Sequence, residues 1–117
     1  MKFTDWVQVR ENWHGIYCGP GPALVPKSCD ALRNGAPLPE PVDAIDAACK
    51  THDIDYCKAG KDWRAALPFS THRTAGTSSA DNDFYHRVLR AFNSETLSPQ
   101  ARRFARLILA YFRPQNS

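Results

Sequence analysis

A mainly α-helical, disulfide-linked domain is what the sequence predicts, and three observations predict it. Apolar residues recur at helical spacing in three separate stretches, around residues 42–59, 79–92 and 99–113. A glycine- and proline-dense segment at 17–41, YCGPGPALVPKSCDALRNGAPLPEP, interrupts them with a shaped loop rather than a helix or a central strand. Four cysteines fall in only 117 residues. The length fits one domain over 1–117 with a small core. Their even count leaves open two disulfides in an oxidising compartment or four buried thiols.

Taken in order, residues 1–16 form an amphipathic lead-in with Phe3, Trp6, Val7, Trp13 and Ile16 as apolar points, and a short helix fits part of it. The two tryptophans suit a core better than a membrane-interface anchor. In the 17–41 loop, Gly19 and Gly21 free the backbone to aim carbonyls at one point. The next helix is expected from Pro41 or Val42 to Ala59, with Gly60 as its stop. Residues 61–78 lose periodicity and end in the polar THRTAGTSS. A further helix is expected from a Ser78 or Ser79 cap, with Asp81 and Asp83 in its first turn and Phe84, Val88 and Phe92 as its apolar stripe. Ser98 and Pro99 open the last helix as cap and first helical residue, running to about 113. Its arginines suit the solvated edge of a core helix; a helix lying on a membrane surface is the other reading.

Function concentrates in DAACKTHDIDYC, residues 46–57. At about 3.6 residues per turn, Ile45, Cys49, His52, Tyr56 and Ala59 share one face. Asp46, Lys50 and Lys58 are then free to stay in water, while Asp53 aligns with Cys49. A histidine and a tyrosine thus point inward, where polar groups need partners. Asp81, one turn before Phe84, lies on or beside the inward stripe of the following helix. It is the candidate orienter of His52, whose other nitrogen would serve as a general base. Asp53 and the carbonyls of the 17–21 loop supply the oxygen ligands that calcium takes. A base beside a hard cation describes ester hydrolysis by an activated water, and no serine stands in a G-x-S-x-G context.

The segments YCGPG at 17–21, DAACKTHDIDY at 46–56 and ADNDFY at 80–85 together resemble the small calcium-dependent phospholipases A2. The resemblance covers about residues 13–92. The D-x-x-F run at Asp81, followed by an aromatic, resembles the bee-venom branch, and the sparse, loop-plus-helices pattern also resembles parvovirus capsid domains and some bacterial or fungal secreted forms. The resemblance implies a phospholipase A2-like fold, with two antiparallel active-site helices joined to a glycine-rich calcium loop. By it, Tyr17, Gly19 and Gly21 offer carbonyls to calcium, Asp53 is the bidentate ligand, and His52 is the general base. Tyr56 hydrogen-bonds Asp81. Cys18 pairs with Cys49, leaving Cys29 and Cys57 to pair. The implied activity is release of the sn-2 fatty acid from glycerophospholipids at a bilayer or micelle surface, by a secreted monomer. Ala48 and Asp55 stand where many relatives carry cysteines.

Other classes fit less well. A catalytically weak lipid- or receptor-binding relative is the alternative, although His52 and Asp53 are both present. Cysteine spacings of ten, nineteen and seven residues do not resemble zinc knuckles. A net charge of +3 with no basic run disfavours nucleic acid. Nor does the chain contain a secretory h-region or an apolar run of membrane-spanning length.

Overall fold

The computed structural model describes residues 2–11, 14–18, 38–61, 66 and 70–114. Among these, four α-helices and no strands occur: α1 (Phe3–Glu11), α2 (Ala44–Lys58), α3 (Ala75–Ser94) and α4 (Pro99–Tyr111). The fold is therefore mainly α, as the periodicity predicts. Gly19, Gly21, Cys29 and Trp13 lie outside the described residues.

Helix α2 starts where Asp43, in extended conformation, caps it by accepting from Asp46 N. It ends at Gly60, whose φ of +69° is natural only for glycine. There Gly60 N–H donates to the Cys57 carbonyl and Lys61 N–H to Tyr56, closing the orphan carbonyls of the last turn. Both ends agree with the expected helix to within three residues.

Helix α3 begins a turn earlier than the sequence suggested, and this corrects the reading of 75–78 as loop. Thr74 and Thr77 form a reciprocal capping box: Thr77 N donates to Thr74 Oγ1 at 3.2 Å, and Thr74 N to Thr77 Oγ1 at 2.8 Å. A threonine can play the part usually given to glutamate in this motif. Ser78 and Ser79 are consequently exposed residues inside the helix. Asp81 and Asp83 sit past the first turn, which carries no acid. Helix α4 starts at the expected cap, with Ser98 Oγ accepting from Ala101 N at 3.1 Å.

Helices α2 and α3 pack antiparallel. Ala59 at the end of α2 lies against Gly76 at the start of α3. At the opposite end, Ala44, Ala47 and Ala48 line one groove with Ala91 and Ser94. Small residues on both helices permit this approach. Helix α4 closes the core over α3 and α1, burying Phe104, Ala105, Ile108 and Tyr111. Its arginines turn away: Arg102 stacks on the Phe92 ring at 4.6 Å, and Arg103 and Arg106 are exposed. No helix of the described residues is long and apolar enough to cross a membrane.

The segment 14–18 is fastened to α2 by a disulfide between Cys18 and Cys49, with Cα atoms 5.1 Å apart and a sequence separation of 31. Cys57 is disulfide-bonded as well, and its expected partner Cys29 lies outside the described residues. Replacing Cys18 and Cys49 together by alanine should cost about 3.7 kcal/mol of unfolding free energy, the chain-entropy value for a loop of this size. Urea unfolding of the oxidised proteins checks it.

Candidate active site

His52 and Tyr56, one turn apart on α2, converge on one oxygen of α3. His52 Nε2 lies 2.8 Å from Asp81 Oδ1, and the Tyr56 hydroxyl donates to the same oxygen at 2.5 Å. A carboxylate oxygen only accepts, so Nε2 carries the imidazole proton. His52 Nδ1, the lone-pair nitrogen in that tautomer, has no hydrogen-bond partner among the described residues. The antiparallel packing of α2 on α3 brings together residues 29 positions apart in sequence. Asp81 is 6 % exposed, so its two donors provide the compensation that a buried carboxylate requires. Burial raises the Tyr56 hydroxyl well above the ordinary phenol range, helped by the Asp81 charge and the bond to it, and this keeps Tyr56 a donor.

Three aromatic rings hold the imidazole. Phe84 of α3 stacks on it with centroids 4.3 Å apart and planes at 16°. Phe112, just past α4, meets it edge-on at 5.4 Å, and Tyr56 packs at 4.4 Å. Phe84 and Phe112 also touch each other, at 5.2 Å. The ring is thereby fixed in orientation by packing as well as by Asp81. Phe112, at the C-terminal cap of α4, thus joins the site, a role the sequence analysis did not assign to it.

Asp53 occupies another part of the α2 surface. Its Oδ2 is buried and has no hydrogen-bond partner among the described residues. Burial, with the nearby Asp46 charge, pushes the Asp53 carboxyl up to about 8. The neighbouring segment is Tyr17–Cys18. The Tyr17 hydroxyl is raised by burial and by the Asp46, Glu40 and Asp53 charges, and Lys50 Nζ stands 5.7 Å from the centre of its ring. A buried, unpartnered carboxyl oxygen in a field of negative charge suits a bound cation. Among the described residues no group of three or more His, Cys, Asp or Glu side chains is arranged to hold a metal. Among the described residues, a cation at Asp53 would draw on other oxygens, such as the carbonyl of Tyr17. Gly19 and Gly21, expected to offer the others, lie outside the described residues. Zinc held by thiolates is excluded for Cys18, Cys49 and Cys57, which are all in disulfides.

Asp46 corrects the sequence reading outright. Expected to stay in water, it is fully buried and accepts from the backbone amides of Ile16, Tyr17 and Val42. Helical position alone placed it outside the inward stripe; the chain folding back over the N-terminus of α2 covers it. Lys50, likewise expected in water, is half-buried. Asp43-x-x-Asp46 at a helix start was the available signal for the cap, although nothing in sequence pointed to Ile16 and Tyr17 as donors.

Neither the family models nor the solved structures compared with the chain give a match.

Asp53 sets a pH dependence whose sign is fixed. A carboxyl raised from 3.8 to about 8 on folding keeps its proton in the native state over a range where the unfolded state has lost it. Its contribution to stability is therefore full below pH ~4 and is lost progressively as pH rises to ~8. In chelator, Asp53→Asn should remove this penalty, leaving Tm unchanged at pH 4 and raised by roughly 4 °C or more at pH 8. Calorimetry of the two proteins across that range tests it.

Proposed function

We propose that the chain is a calcium-dependent phospholipase A2, hydrolysing the sn-2 acyl ester of glycerophospholipids to a fatty acid and a lysophospholipid. The observation that carries this reading is the oriented imidazole. His52 Nε2–H is engaged by Asp81, no hydrogen bond to Nδ1 occurs among the described residues, and on the same helix Asp53 has a buried oxygen without a hydrogen-bond partner there. The three sequence segments that resemble the family are the ones that supply these groups. The disulfide Cys18–Cys49 supports an oxidising and hence extracellular setting.

In this mechanism His52 Nδ1 takes a proton from water as the water oxygen bonds to the ester carbonyl carbon. The imidazolium so formed is stabilised by Asp81, whose position Tyr56 holds. When the carbon–oxygen bond to the glycerol breaks, His52 returns the proton to the departing alkoxide, leaving a fatty acid and an alcohol. Phe84 and Phe112 keep the ring in its plane and exclude bulk water from its faces. Asp53, with the carbonyls of Tyr17, Gly19 and Gly21, would hold calcium, which supplies positive charge to the carbonyl oxygen as negative charge develops there. The substrate is presented at a bilayer or micelle surface, and the protein acts as a monomer.

Fatty acid release from phospholipid vesicles carrying an sn-2 acyl label should require calcium and stop in chelator. Full activity in chelator would overturn the mechanism. His52→Gln should lower kcat at least a hundredfold, the usual cost of removing a general base. Asp53→Asn should abolish calcium binding measured by calorimetry, whereas Asp81→Asn should leave binding intact and lower kcat. Vesicle binding without release by the wild-type protein would assign a lipid-binding role instead.

A further inference from the structure

A second histidine–carboxylate couple lies at the other end of α2, and the ester chemistry does not use it. His14 is 6 % exposed, and its Nε2 stands 2.7 Å from Asp43 Oδ2. Asp43 accepts from Asp46 N through its other oxygen, at 2.8 Å. Asp46 in turn takes up the chain that follows His14. Its Oδ1 accepts from Ile16 N at 3.0 Å and Tyr17 N at 2.7 Å, and its Oδ2 from Val42 N at 3.0 Å.

The path between the two carboxylates is tight. Gly15 has φ +67°, and a Cβ there would stand 2.5 Å from Asp46 Cγ, so only glycine lets the backbone turn this closely over the carboxylate. The Tyr17 hydroxyl donates to the Pro39 carbonyl, and Cys18 is bonded to Cys49. His14, Ile16, Tyr17 and Cys18 are each tied to the stretch 39–49, which contains the start of the helix that carries His52 and Asp53. Two negative charges can be held at this point because both lie at the positive end of α2 and both accept from backbone N–H groups, Asp43 from Asp46 and Asp46 from Ile16, Tyr17 and Val42.

We propose that His14, Asp43 and Asp46 form a positioning relay that sets the Tyr17 peptide for cation binding before any cation arrives. The proposal rests on the reading of Tyr17 as a calcium ligand. His14 locks the Asp43 carboxylate; Asp43 fixes the first turn of α2; Asp46 then holds the Ile16 and Tyr17 amides, and so the plane of the peptide that links them and the start of the next. His14 Nδ1 is buried with no hydrogen-bond partner among the described residues, so the contact to Asp43 is made through the Nε2–H alone. A glutamine amide reaching the same carboxylate oxygen can therefore replace it, and a phenyl ring cannot. Phenylalanine does preserve the packing of this ring beside Phe104, whose centroid is 6.4 Å away.

Calcium titration calorimetry of the wild-type protein, His14→Phe and His14→Gln decides between a relay and simple packing. Loss of a group that orients a ligand costs about ten- to a hundredfold in metal affinity. His14→Phe should bind calcium at least tenfold more weakly, and His14→Gln should recover to within about threefold of wild type. Equal affinity in wild type and His14→Phe, or a His14→Gln as weak as His14→Phe, would overturn the relay. Because the readout is binding, calcium binding without ester cleavage would refute the proposed activity and leave the relay standing. Should His14→Phe not fold, hydrogen exchange on the wild-type protein in chelator decides. Ile16 and Tyr17 amides protected to the same degree with and without calcium support a preset loop, and rapid exchange without calcium overturns it.

Discussion

One carboxylate oxygen, Asp81 Oδ1, governs how the two central helices serve each other. It receives His52 and Tyr56 from α2 while standing on α3, so the site exists only when those helices pack antiparallel and in this register. A slip of one residue along either helix would turn the carboxylate by about 100° and break both bonds. Ala59 lies against Gly76 at one end, and at the other the α2 alanines share a groove with Ala91, so small side chains flank this register at both ends. Packing of small residues and orientation of the imidazole are thus a single constraint, and Phe84 links them by stacking on His52 from the same helix as Asp81.

Around that contact the protein manages several buried acids in different ways. Asp81 is compensated by two side-chain donors, and Asp46 by three backbone amides at a helix N-terminus. Asp53 has neither on its Oδ2, and its carboxyl is raised accordingly. The contrast separates two carboxylates that accept hydrogen bonds from one whose Oδ2 has no hydrogen-bond partner among the described residues. An unpartnered buried oxygen costs stability on the order of 1–3 kcal/mol in the absence of compensation. That cost at Asp53, beside acids that do accept hydrogen bonds, is the observation behind the cation proposed at this position.

Much of this was legible in the residues. The stripe of Ile45, Cys49, His52 and Tyr56, the Ser98–Pro99 start of α4 and the Gly60 stop of α2 follow from local rules of helix geometry and capping. The pairing of His52 with Asp81 followed from the chemistry of an inward histidine, which needs a carboxylate, together with the length of the connection between the helices. Where the sequence misled, the cause was also physical. THRTAGTSS looks like loop because it is polar and contains glycine, yet the Thr74–Thr77 box supplies local hydrogen bonds strong enough to start α3 early. Asp46 looked solvated because an isolated helix gives no account of what folds over its N-terminus.

The sequence by itself determined the class of fold, the faces of the helices and the residue types available for chemistry. Periodicity, caps and stops are local properties, set by neighbours three or four positions away. Only the tertiary structure decided which acids are buried and which of them are satisfied. It brought His14 to Asp43, Tyr17 to Asp46 and Phe112 to His52. Those pairings depend on how segments distant in the chain are laid across one another, and the free energy of a buried charge depends on everything that surrounds it.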